Sequence, residues 1–150
     1  VYICTPYLII DNELVTALTL AAKGGVDVRI ITPHIEDKKY IHMVTRSYYY
    51  QLINSGIKIY EYTPGFIHSK IFVSDDEVAT VGTINLDYRS LYLHFECGVF
   101  LFKTNTVFEI KKDFLETLKK CKQIENEDCK KVKWHTRMTR AILKVFSPLM

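Results

Sequence analysis

The chain has 150 residues, 48% of them apolar, with only six Gly and four Pro and a net charge of +3. That size and composition support one globular domain with its own core. No uninterrupted apolar run approaches the roughly 20 residues of a membrane-spanning helix, so this piece is expected to be soluble rather than to cross a bilayer.

Val1-Tyr2-Ile3-Cys4 reads as a strand already under way, with no initiator Met and no signal peptide, the pattern of a fragment. Asp11 or Asn12 supplies a cap for a helix over about 12–23, with Leu14, Leu18 and Ala21/Ala22 on one side and Gly24-Gly25 as its stop. Val26 to Ile31 is the next strand. Asp37 is the expected opening of a second helix, with Ile41, Val44, Tyr48 and Leu52 as its apolar stripe and Gly56 as its end. Tyr48-Tyr49-Tyr50 has the look of a base-stacking platform, but helical spacing sends at least one of the three into the core. Ile57 to Tyr62 returns as a strand. Alternating strands and helices followed by a hairpin predict an α/β fold, a mixed β-sheet flanked by helices in an α/β/α sandwich.

The hairpin carries the chemistry. His68-Ser69-Lys70-Ile71-Phe72-Val73 reads as a strand, Ser74-Asp75-Asp76-Glu77 as its turn, and Val78-Ala79-Thr80-Val81 as the return. Strand alternation would put His68 and Lys70 on one face and Ile71 and Val73 on the other. Gly82 has no side chain to hold a ligand off the backbone, and Thr83 and Asn85, two apart, aim a hydroxyl and an amide at the same point. Imidazole, ammonium, hydroxyl and amide converging there suit a phosphate anion. The pattern H-x-K-x4-D-x6-G-T-x-N has six fixed positions, which would coincide by chance in roughly one chain in 100,000 of this length. That rarity outweighs the ordinary structural reading each residue has alone.

Beyond a polar loop at 85–90, residues 93–102 read as a strand containing Glu96, an acid that is costly to bury without a partner. Thr106-Val107-Phe108-Glu109 resembles a capping box for a helix to about 120, with Val107, Ile110, Phe114 and Leu118 inward. Residues 121–133 read as a solvated linker. The four cysteines, Cys4, Cys97, Cys121 and Cys129, form no C-x-x-C pair, which favours reduced thiols over a disulfide framework or a metal site. Residues 130–150 hold six cations and no acid, leaving −3 for residues 1–129. Trp134, Met138, Ile142, Val145 or Phe146, and Leu149 recur at helical spacing there. This basic amphipathic tail fits an anionic membrane surface, and the same stripe fits docking on the sheet as an ordinary terminal helix. The division expected is 1–129 as a catalytic domain and 130–150 as the tail.

The H-x-K-x4-D stretch resembles the HKD motif of the phospholipase D superfamily. Thr5-Pro6-Tyr7, Gly65-Phe66-Ile67-His68-Ser69-Lys70, Asn85-Leu86-Asp87-Tyr88-Arg89-Ser90, Phe95-Glu96 and Phe146-Ser147-Pro148-Leu149 together resemble the C-terminal half of bacterial cardiolipin synthases. Thr83 stands where the superfamily often has Ser. The resemblance implies catalytic His68, Lys70, Asp75 and Glu96, with Gly82, Thr83 and Asn85 binding phosphate and no metal or other cofactor. Glu96 would hold the His68 imidazole as a triad acid does, with an edge-strand Glu facing water as the alternative. Asp75 would serve through an ion pair or turn hydrogen bond. The implied activity is phosphatidyl transfer between two phosphatidylglycerols through a phosphohistidine, giving cardiolipin and glycerol, with His68 as acid and base. The implied partners are an N-terminal HKD half of the same parent protein and, through 130–150, the cytoplasmic face of the cell membrane. A hydrolase, or a single-motif phosphodiesterase or nuclease acting as a homodimer, is the alternative. Net-acidic residues 1–129 speak against nucleic acid. As a monomer the fragment is expected to be inactive.

Overall fold

The computed structural model describes residues 1–149. Its chain order is β1 (Tyr2–Cys4), β2 (Leu8–Ile9), α1 (Asn12–Lys23), β3 (Arg29–Pro33), α2 (Lys39–Asn54), β4 (Lys58–Tyr62), β5 (Ile71–Ser74), β6 (Val78–Gly82) and β7 (Leu86–Asp87). A π-helical turn at Arg89–Leu93 precedes β8 (Gly98–Phe102), α3 (Asn105–Leu118), β9 (Cys121–Ile124), α4 (Asn126–Lys130) and α5 (Trp134–Val145). Seven strands form one sheet in the order β8-β6-β5-β1-β3-β4-β9, with β1, β3 and β4 parallel and the outer strands antiparallel to their neighbours.

Strand alternation divides the core. Ile3, Ile30, Ile59 and Ile124 face α1 and α2, where Val44, Tyr48, Tyr49 and Leu52 meet them. Cys4, Ile31, Val73 and Ala79 face α3, through Val107 and Phe114, and the Tyr2 and Phe114 rings stack at 5.1 Å. The mixed sheet with helices on both faces is the expected sandwich. Of the three consecutive tyrosines two are core, and Tyr50 alone is exposed.

Asp11 caps α1 as expected, accepting from Leu14 N–H at 2.7 Å. Asp37 does not cap α2: the cap position is Lys38, without a side-chain bond, and Asp37 instead accepts from the Tyr7 hydroxyl at 2.8 Å. Thr106 lies inside α3, which starts at Asn105 after the left-handed Lys103, so the expected capping box does not form. The supposed linker at 121–133 is partly regular. Residues 121–124 are an edge strand on β4, with Ile59 opposite Ile124, and its polar residues Lys122 and Gln123 face water.

Two differences bear on the site. The His68 strand begins only at Ile71, the residue opposite Cys4 at the end of β1, so His68 and Lys70 sit in the segment entering β5. The 93–102 strand begins only at Gly98, because the chain first winds through the π-turn. Antiparallel pairing with β1 places the residues before β5 at the C-terminal ends of β1, β3 and β4, the end at which open α/β sheets present ligand crevices.

Candidate active site

His68, Ser69, Lys70, Val81, Gly82, Thr83 and Asn85 line one open concavity of about 520 Å³. His68 is exposed there, its ring stacked against Phe66 at 5.8 Å and edge-on to Tyr7 at 6.5 Å. Lys70 Nζ lies 2.9 Å from His68 Nδ1 and donates to the His68 carbonyl at 2.8 Å. Partial burial and the neighbouring ammonium both hold the imidazole pKa below its ordinary value, which favours the neutral ring. Burial also lowers the Lys70 pKa, against the opposing pull of the Glu96 carboxylate.

Thr5, at the end of β1, is fully buried. Its hydroxyl donates to Tyr7 C=O at 2.8 Å and accepts from Leu86 N–H at 3.2 Å, fixing the Tyr7 loop to the strand that follows Asn85. Asn85 Nδ2 donates to Ser90 Oγ at 3.3 Å, while Asn85 Oδ1 is buried with no partner among the described residues. The amide is only half satisfied within the chain and keeps hydrogen-bonding capacity.

Asp75 takes the turn hydrogen bond that was one of its two expected roles, while Glu96, Thr83 and Gly82 depart from the sequence reading. Asp75 sits in the turn after β5, at the opposite end of that strand from His68, where it is left-handed and accepts from Ser74 Oγ at 2.7 Å. The structure therefore keeps it away from the reacting face and gives it the turn role alone. Glu96 does not take the His68 imidazole. It accepts from the Thr83 hydroxyl, which holds its carboxyl below the usual range. Thr83 Oγ1 also accepts from Cys97 N–H at 3.0 Å, and Thr83 N–H donates to Cys97 C=O at 2.9 Å, so its hydroxyl is engaged by its own chain. Gly82 is required by strand packing: a Cβ there would lie 2.6 Å from Gly98 Cα and overlap Cys97 O.

That close approach carries a prediction. Gly82→Ala forces β8 away from β6 and should lower stability by about 1–3 kcal/mol, as overpacking does. Urea unfolding checks it, and a variant as stable as the parent would show that β8 shifts without cost.

Tyr7 and Phe66 pack against His68 and Thr5 holds the Tyr7 loop, roles not assigned to them from the sequence. The signal was present in Thr5-Pro6-Tyr7 and in the aromatic residue two positions before His68, since rings near an imidazole restrict its orientation. An ammonium and an imidazole side by side, with an amide across an open wall, hold an oxyanion and move a proton at its edge.

Residues 1–118 match the family model described as the phospholipase D-like domain of cardiolipin synthase. The chain belongs to that family. An uncharacterized protein of Streptococcus mutans is 49% identical over the whole chain, which covers 32% of it. A cardiolipin synthase of Halalkalibacterium halodurans is 40% identical over the whole chain, which covers 30% of it. The chain thus spans about a third of the length of these curated relatives. Among solved structures, Nuc from Salmonella typhimurium, a phospholipase D family member, superposes with a TM-score of 0.69 at 17% identity, covering 82% of this chain and 80% of that one. At that identity the likeness carries the phospholipase D fold.

Proposed function

We propose that this phospholipase D-like domain is the part of a cardiolipin synthase that supplies the acid and base of the reaction. One observation carries the reading: His68 stands at an open concavity with Lys70 Nζ 2.9 Å away, its neutral form favoured by its surroundings and with no carboxylate hydrogen-bonded to it among the described residues. A second HKD half of the parent protein would face it. The partner's imidazole attacks phosphorus of one phosphatidylglycerol, a P–N bond forms, and the P–O bond to glycerol breaks. His68, in its minor protonated form, gives its proton to the departing glycerol oxygen. Neutral again, His68 takes the proton from a glycerol hydroxyl of a second phosphatidylglycerol, whose oxygen displaces the histidine to give cardiolipin. Lys70 and Asn85 hold the phosphoryl oxygens, and Thr83 and Glu96 brace the wall.

The bare edge of the sheet supports a second half beside this one. Among the described residues β8 has no neighbouring strand on its outer side, and Val99, Phe100 and Phe102 are exposed on it, with Phe95 just before. The basic residues 130–150 would face the cytoplasmic surface of the membrane, and among the described residues no helix is long and apolar enough to cross one.

The test incubates the parent protein and this chain separately with phosphatidylglycerol vesicles, with light scattering on the same samples. The parent should yield cardiolipin and glycerol in equal amounts, and the monomeric chain neither. Phosphatidic acid as the parent's main product would replace transfer by hydrolysis. Product from a dimer of this chain would replace the second half by a second copy.

A further inference from the structure

A groove between α2 and the α4–α5 segment shares no lining residue with the His68 concavity and has no part in the reaction above. It encloses about 460 Å³ and is lined by Arg46, Lys130, Arg137, Arg140 and Lys144, with Tyr50 and no carboxylate. Arg46 is committed to Glu61. The other four cations form no ion pair among the described residues. Among the described residues Arg140 Nε is buried without an acceptor, and Lys144 has only a 3.5 Å contact with Gln51 and a seat 4.0 Å above the Tyr48 ring. Gathered cations repel, and a buried N–H without an acceptor is costly. Both costs are relieved by an anion with several acceptor oxygens, which phosphate supplies.

The same helix says where the phosphate comes from. Trp134, Met138, Ile142 and Val145 of α5 are 73%, 53%, 54% and 75% exposed, and no residue of α5 is fully buried. At 100° per residue these four form one stripe, with Arg137 and Lys144 on the flank beside it and Arg140 further round the helix. A free phosphate gives such a stripe nothing to bury against, whereas a bilayer offers acyl chains beside the headgroup. A nucleic-acid backbone would leave the stripe in water.

We propose that the α2–α5 groove seats the phosphodiester headgroup of an anionic phospholipid in a bilayer, with the Trp134–Val145 stripe entering the acyl boundary. This is a second lipid site, apart from the reacting centre, and it holds whether the reaction at His68 is transfer or hydrolysis. It orients the domain on the membrane so that lipid is held while another is processed.

The test is vesicle cosedimentation of the chain, read without turnover, so that failure of the groove and failure of the transfer reading are separate results. Three proteins are compared on phosphatidylcholine vesicles with and without phosphatidylglycerol: the parent chain, Lys130→Ala/Arg137→Ala, and Lys112→Ala/Lys120→Ala. The two double variants remove equal charge, and all four lysine and arginine side chains are exposed and unpaired among the described residues. The groove variant should lose about 30-fold in apparent affinity for phosphatidylglycerol vesicles, at the worth of a cation near an anionic surface, and the control far less. Equal loss in both variants would overturn the groove in favour of general charge attraction. Unchanged binding in the groove variant would overturn it outright. Full competition by millimolar inorganic phosphate would overturn the lipid as its occupant.

Discussion

Arg46→Ala is expected to lower the unfolding free energy by about 3–5 kcal/mol, the cost of stranding one member of a buried ion pair. Glu61 on β4 is 2% exposed. Its Oε1 accepts from Arg46 Nε at 2.8 Å and its Oε2 from Arg46 Nη2 at 2.7 Å, with His34 Nδ1 also 2.7 Å from Oε2. Removing the guanidinium leaves Oε1 without a hydrogen-bond donor among the described residues, in a pocket whose lining includes Tyr49 and Ile124 as well as Lys122 and Arg140. His34 is about half exposed and cannot supply the lost charge-assisted bonds. Replacing both partners by apolar residues, as in Arg46→Met/Glu61→Leu, should recover most of the loss, because no buried charge remains. Urea unfolding with an unchanged m-value is the measurement. A single-variant loss below about 1 kcal/mol would mean that water reaches the carboxylate.

His68→Ala in the parent protein is expected to cut lipid transfer by about 1,000-fold, within the range for loss of a positioned acid and base. The side chain is exposed and carries no core packing, so the variant should unfold at the same denaturant concentration as the parent. Near-parent turnover would remove His68 from the mechanism. The chain alone offers a second readout, since Lys70 lies against the ring. The His68 pKa sits below the ordinary value of about 6.5, through burial and then through the Lys70 ammonium. Lys70→Met removes the second cause, so the NMR titration of His68 should move to higher pH. In the parent, the acidic limb of the rate profile should move the same way. The base must be neutral, and a higher pKa protonates it at pH values where the parent is still active. A titration unmoved by Lys70→Met would show that burial alone sets the ring's charge.

Much of this architecture was legible in the sequence, since periodicity reports burial directly. The stripe Val44, Tyr48 and Leu52 predicted the packed face of α2, and the alternating strands and helices predicted the sandwich. The meeting of His68, Lys70 and Asn85 followed from spacing across a hairpin, because a tight turn fixes register. What was not legible depended on contacts between distant segments. Thr83 and Glu96 pair because β8 returns beside β6, and Gly82 is needed because Gly98 lies against it. No local pattern announces either. Glu61 lies in the strand expected at 57–62 without a role there, and its ion pair depends on Arg46, fifteen residues earlier on α2. Asp75 shows the converse: a motif fixes residue types but not distances, and a four-residue strand separates it from the imidazole.

The unshielded outer side of β8 also sets a condition on how the protein is made and stored. Its unpaired amides and carbonyls, with Val99, Phe100 and Phe102 in water, form a template onto which any extended chain can add. In a concentrated sample this template favours slow, seeded precipitation over reversible clustering, and during translation it exposes a sticky rim until something covers it. The expected site of self-association in the isolated domain is therefore a short strand at the rim of the sheet.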